Sequence, residues 1–166
     1  MDTMTMHARM NHPAFTAPGA IDALHALGKS IQRSGLPAKT AELVALRASQ
    51  INGCGVCAVQ HPKILRKLGE TDDRIFAEAA WRDAPYFTEA ERAALALTEE
   101  GTRLADAHHG VSDDTWAEVR KHYDNDQIGA LVCLVAMINA ATRMNVIVHN
   151  PGGSYEPGMF AALDRD

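Results

Sequence analysis

The chain has 166 residues, 46% of them hydrophobic, and a formal net charge of -5; this length is enough to bury one core without disulfide staples and points to a single domain. The acidic balance, with a pI near 5.9 and no basic run, argues against nucleic acid and anionic membranes as partners. Three cysteines, one of them isolated, make no secreted disulfide framework, and no N-terminal stretch has the charged start and apolar run of a signal peptide, so a reducing cytosol is the expected compartment.

Residues 1–19 are rich in Met and His, contain Pro13 and Pro18, and show no sustained period. They read as a flexible arm, or as one lying on a neighbour, with no chemistry of their own. Residues 20–166 read as one helical domain. Ile21, Leu24, Leu27 and Ile31 recur at helical spacing, and that helix ends near Ser34 and Gly35. Pro37 opens the next, in which Ala41, Val44, Ala45 and Ala48 share a face widened by Leu43 and Leu46. After a turn at Asn52 and Gly53 a third helix carries two cysteines and stops at Gly69, a residue suited to a left-handed C-terminal turn.

Thr71, Asp72 and Asp73 form an acidic helix start leading to Trp81, before the break at Ala84 and Pro85. Thr88 with Glu91 forms a capping box for a helix whose apolar face continues through Leu104 to the break at His108, His109 and Gly110. Ser112 starts a short helix through Tyr123. The last helix runs from about Asp126 to Val148; its apolar core, Ile128 to Ile138, falls short of the roughly 18 residues of a membrane span, so it reads as a buried helix. Cys133 inside it reads as a buried, inert thiol. His108, His109, His122 and His149 read as surface or capping residues, and Asn139, Arg143 and Asn145 as polar groups serving buried backbone or subunit contacts. Seven helices and no sheet result, an all-α fold.

The chemistry concentrates in Glu42 to His61, ELVALRASQINGCGVCAVQH. If the chain turns helical at Cys54, then Cys54, Cys57 and His61 stand at i, i+3 and i+7 on one face. Gly53 and Gly55 let the backbone turn sharply there, and the free N–H groups of a helix start favour a thiolate over a thiol. Glu42 lies ten residues before Asn52 and His61 nine after it, so in an antiparallel helix pair the carboxylate reaches the imidazole. The pattern is a carboxylate that orients an imidazole, an imidazole that takes a thiol proton, and a second thiol one turn away. Zinc is the chemical rival, since Cys54, Cys57 and His61 could supply three ligands with His108 or His109 near in space. The plain alternatives are two buried cysteines and a solvated glutamate.

With RKLGE following at Arg66 to Glu70, this set resembles the alkylhydroperoxidase D (AhpD) core of the carboxymuconolactone decarboxylase superfamily. The likeness is sharpest over residues 37–70 and looser through WRDAPYFTEAERAALALTE and INAATRMNV. It implies a helical domain in which the CxxC helix packs on the Glu-bearing helix. It also implies a thiol-dependent peroxidase or disulfide oxidoreductase with catalytic Cys57, Cys54, His61 and Glu42. Cys57 would be the peroxidatic thiolate, deprotonated through a His61 held by Glu42, and Cys54 would resolve the sulfenic acid.

No tightly bound cofactor or metal would be needed, a hydroperoxide would be the substrate, and a lipoyl group or other dithiol the external reductant. Trimers, or hexamers of dimeric or trimeric units, are the assemblies the resemblance implies. Two departures stand out: Val56 occupies a place where some members carry a histidine, and Pro62 after His61 implies a kink or helix restart. Lactone-acid decarboxylation, the activity that named the superfamily, runs without a redox pair, so the intact CxxC argues against it. A non-enzymatic redox sensor is the remaining alternative.

Overall fold

A computed structural model describes residues 5–107 and 109–154. Among the described residues there are eight α-helices and two 3-10 helices, with no strand. They are α1 (Pro13–Thr16), α2 (Ala20–Gln32), α3 (Ala38–Ile51), α4 (Gly55–Lys67), α5 (Asp72–Ala77), α6 (Glu89–Thr102), α7 (Asp113–His122) and α8 (Asn125–Ile147), with 3-10 turns at Glu78–Asp83 and Leu104–Asp106. The all-α expectation holds, and the helix beyond the expected seven is α1.

The centre of the bundle is α3. Its small and branched side chains leave little polar surface, so it is buried on nearly every side, which is the position such a helix takes. On one face Val44, Ala45 and Ala48 pack with Ala94 and Leu97 of α6 and with Leu131, Leu134 and Ile138 of α8. On the other, Leu43 and Leu46 meet Leu65 of α4, Ile75 of α5, Trp81 and Leu95. Buried hydroxyls are satisfied within their own helices, Ser49 Oγ donating to the Ala45 carbonyl and Thr98 Oγ1 to that of Ala94. Glu99 joins three elements by accepting from Arg47 Nε at 2.8 Å, from Trp81 Nε1 at 3.0 Å, and from Arg82.

Residues 5–19 include α1, with the Arg9 N–H donating to the Val148 carbonyl at 2.8 Å and His12 only 3% exposed. Other sequence expectations are corrected. No restart occurs at Pro62, which lies inside a continuous α4. The helix from Thr88 ends at Thr102, with Leu104 in a separate, exposed 3-10 turn. The segment after Thr71 is α-helical only to Ala77 and continues as the 3-10 turn Glu78–Asp83, inside which Ala80 has non-helical backbone angles.

An 18-residue window of α8 has mean hydropathy 1.7, long and apolar enough to cross a membrane, contrary to the count from Ile128 to Ile138. It is a core helix packed on α2, α3 and α6, but only 44% of that window is buried, and Cys133 is exposed. A helix apolar on all sides does not announce which side faces out, and Cys133 lies on that outer side.

Candidate active site

The site is built by the turn between α3 and α4. The Cys54 N–H donates to the Ser49 carbonyl at 3.0 Å and the Gly53 N–H to that of Gln50 at 3.2 Å. This is the Schellman pattern, and it needs a left-handed residue where Gly53 sits at φ +66°. The next residue, Cys54, is already the N-cap of α4, and its Sγ accepts the Cys57 backbone N–H at 3.3 Å. Asn52 fixes the turn to α8 by donating through Nδ2 to Asn139 Oδ1 at 3.0 Å and Thr142 Oγ1 at 2.9 Å.

The structure brings all four expected residues together. Cys54 and Cys57 are free thiols whose sulfurs lie 2.6 Å apart and share a hydrogen bond. His61 Nδ1 and Glu42 Oε2 are 2.9 Å apart, both buried, so the antiparallel pairing places carboxylate and imidazole as the spacing requires. With Nδ1–H donated to the carboxylate, Nε2 on the other side of the ring is the position that can exchange a proton. No hydrogen bond joins His61 to either sulfur among the described residues; its ring and Cys57 line one cavity.

The two thiols are shifted in opposite directions. The Cys54 thiol is held down to about 7, first by the hydrogen bond from the Cys57 side chain, then by the Cys57 N–H and the charge of His61, against the cost of burial. Cys57 is pushed up by the hydrogen bond it shares with the Cys54 side chain and by burial; Ser49 and Asn145 pull it the other way. These opposed shifts favour negative charge on Cys54, the sulfur at the helix start. Cys54 is 1% exposed and does not reach the cavity, whereas Cys57, 7% exposed, forms part of its wall.

That cavity has a volume of about 50 Å³ and is mostly apolar, walled by Ile21 and Leu24 of α2, Ile64 of α4, and Met137 and Ile138 of α8. Its polar groups include His12, His25 and Asn145. His25 Nε2 is buried without a hydrogen-bond partner, and burial lowers the His12 pKa. The sequence reading gave His12 and His25 no role. His25 follows Ile21 and Leu24 by one helical turn and by one residue, so their shared apolar face was the available signal. Among the described residues no three metal-binding side chains converge, and His108 lies outside them.

Residues 18–100 match the carboxymuconolactone decarboxylase family, a span holding Glu42, both cysteines and His61. The chain belongs to that family. It is 33% identical over 138 residues to the uncharacterised protein YdfG of Bacillus subtilis, covering 83% of this chain and 92% of that one. It is also similar to ATU0492 of Agrobacterium tumefaciens, a protein of unknown function with a provisional designation as the antioxidant defence protein AhpD. That crystal structure agrees at a TM-score of 0.81 and 32% identity, over 90% of this chain and all of that one. Within the family this chain is thus an AhpD-like member. The debrominase Bmp8, solved as a cysteine-to-alanine variant with 2,3,4-tribromopyrrole, shares the fold at a TM-score of 0.73 over 84% of this chain and 74% of its own, but at 19% identity the likeness is one of fold alone.

Proposed function

We propose that this protein is a thiol-dependent peroxidase of the AhpD type, which reduces a hydroperoxide with Cys57 and closes a Cys54–Cys57 disulfide. The observation that carries the reading is the adjacent pair of sulfurs, 2.6 Å apart, only one of which opens onto an apolar cavity. AhpD-like relatives support an antioxidant, peroxidase-related role.

Attack requires the Cys57 proton to leave, and the Cys54 thiolate beside it is the nearest base. As that proton moves to Cys54, the Cys57 sulfur bonds the terminal oxygen of the hydroperoxide and the O–O bond breaks. Sulfur is oxidised by two electrons to the sulfenic acid, and the leaving alkoxide takes up a proton to become an alcohol. His61, steadied by Glu42 and within electrostatic reach of Cys54, then takes the Cys54 proton while Cys54 attacks the sulfenic sulfur. Hydroxide leaves and is protonated to water, and the disulfide forms. A dithiol such as a lipoyl group on a partner protein restores both thiols and is itself oxidised to a disulfide.

No tightly bound cofactor or metal enters this cycle, and neither nucleic acid nor a membrane is a partner in it. A reducing cytoplasm is the compartment it suits. A homo-oligomer, trimeric or hexameric, accompanies the proposal, supported by the groove between α6, α7 and α8 where Leu104, Trp116 and Val132 leave apolar surface exposed. The test is hydroperoxide consumption with a panel of monothiol, dithiol and dihydrolipoyl reductants. Catalytic turnover with a dithiol and none in Cys57→Ser is the expected result. Oxidation that stops after one equivalent with every reductant would favour a sensor instead.

A further inference from the structure

We propose that Asn145 is a further catalytic residue, a fixed hydrogen-bond donor to the Cys57 sulfur that stabilises its negative charge during attack. The inference rests on the reading of Cys57 as the attacking sulfur. Asn145 lies near the end of α8, outside the residues that match the family, and is 4% exposed. Its Nδ2 is 3.7 Å from Cys57 Sγ, within reach for a donor to sulfur, and both side chains line the cavity.

Which end of the amide faces the sulfur follows from its other partners. Nδ2 also donates to the Ala141 carbonyl at 3.3 Å, a group that can only accept. On the opposite side Oδ1 accepts from Asn150 Nδ2 at 2.9 Å. A rotated amide would set oxygen against the Ala141 carbonyl and lose that bond. Asn150 is delivered to that place by the turn after α8, where His149 adopts φ +58° and the Asn150 N–H donates to the Asn145 carbonyl at 3.0 Å. Asn150 is thus a positioning residue, and Asn145 aims an N–H at the atom on which charge must develop before the S–O bond forms. A donor fixed in advance in a buried site favours the charged form of its acceptor without reorganising during the reaction.

The consequence is sharpest for Cys57, which in the resting pair is kept protonated by its neighbour. In a Cys54→Ser, Cys133→Ser background, the pH dependence of Cys57 alkylation reports this thiol alone. A hydrogen bond to a charged group is worth about tenfold or more in the equilibrium it favours. Asn145→Ala should therefore slow alkylation at pH 7 by roughly tenfold and move the midpoint to higher pH. Asn145→Asp, which sets a carboxylate where a donor stood, should slow it further. Asn150→Ala, which frees the amide to rotate, should give a smaller change in the same direction and covers the case in which an Asn145 variant does not fold.

The same variants, with Cys54 and Cys133 restored, are then assayed for the single-turnover rate of Cys57 oxidation by cumene hydroperoxide. Profiles that superimpose on the parent, or an Asn145→Asp protein that recovers what Asn145→Ala loses, would overturn the proposal, since the residue would then serve packing only. If the parent consumes no hydroperoxide, the peroxidase reading fails, while the alkylation series still decides whether Asn145 stabilises the thiolate.

Discussion

Glu78 should make the stability of this protein fall as pH rises, and Glu78→Gln should remove that dependence. The side chain is 0% exposed at the start of the 3-10 helix Glu78–Asp83, and its carboxylate oxygens make no well-formed hydrogen bond, with the Gln50 side chain as a weak partner nearby. Burial pushes its pKa from the ordinary 4.5 to about 8, with Glu99 adding to the rise, while the Arg47 charge and the Gln50 side chain only partly oppose it. Between those two values the folded protein holds a proton that the unfolded chain has released, so the contribution is fully present below pH 4.5 and lost as pH rises toward 8. A single proton changes stability by at most about 1.4 kcal/mol per pH unit, so the parent should lose about 2–3 kcal/mol between pH 5 and pH 7 from this group.

The amide that replaces the carboxyl in Glu78→Gln cannot ionise. Urea unfolding of parent and variant at half-unit steps of pH, taken as a difference curve, cancels the contributions of His12 and Cys54, which both proteins share. A difference that climbs in favour of the variant by that amount is expected. Parallel stability curves would show that the carboxylate finds a partner when ionised and would refute the reasoning.

The remaining predictions bear on the site. His61→Ala removes one of the lesser influences that hold the Cys54 thiol down, so thiolate absorbance at pH 8 should fall modestly. Both His61→Ala and Glu42→Gln should cost about 10²- to 10⁴-fold in hydroperoxide turnover with the helical circular dichroism retained. Cys133, being exposed, should be alkylated first by a bulky maleimide, yet one equivalent of hydroperoxide should leave it reduced, as peptide mass mapping will read. Gly53→Ala, forced to hold φ +66° though a Cβ would meet nothing within 4 Å, should cost about 1–2 kcal/mol and lower the melting temperature without changing the thiol pH profile.

Most helices were legible in the sequence because their signals are local. The Thr88–Glu91 capping box, the Ser112 cap and the Gly69 stop are read within a few residues, and each stands where expected. Glu42 and His61 could be paired from sequence because one tight turn separates their helices, so equal distance from the turn sets them opposite each other. Asn145 is 88 residues from Cys57, and no local pattern ties a late residue of α8 to a sulfur at the start of α4. The segment carrying His12 is held by a tertiary bond from Arg9 to Val148, which periodicity cannot reveal.

The contact between the cysteines was hidden for a different reason. The i+4 spacing from Cys57 to His61 suggests a proton transfer between those two, but it says nothing of the closeness of the sulfurs themselves or of the Cys57 N–H capping Cys54. Cys133 misled because its neighbours are apolar all around α8, and composition alone then predicts burial wherever the helix happens to face.

The central claim, that Cys57 reduces a hydroperoxide and Cys54 closes on it, is tested most directly by a single turnover. The fully reduced protein is mixed with one equivalent of cumene hydroperoxide, quenched with acid and alkylating agent, and measured for alcohol formed and for the Cys54–Cys57 disulfide by mass. The account predicts one alcohol and one such disulfide per chain, with Cys54→Ser, which lacks the Cys54 base, yielding the alcohol more slowly and leaving a trappable sulfenic acid on Cys57, and Cys57→Ser yielding neither. Alcohol formed at the parent rate by Cys57→Ser would contradict it.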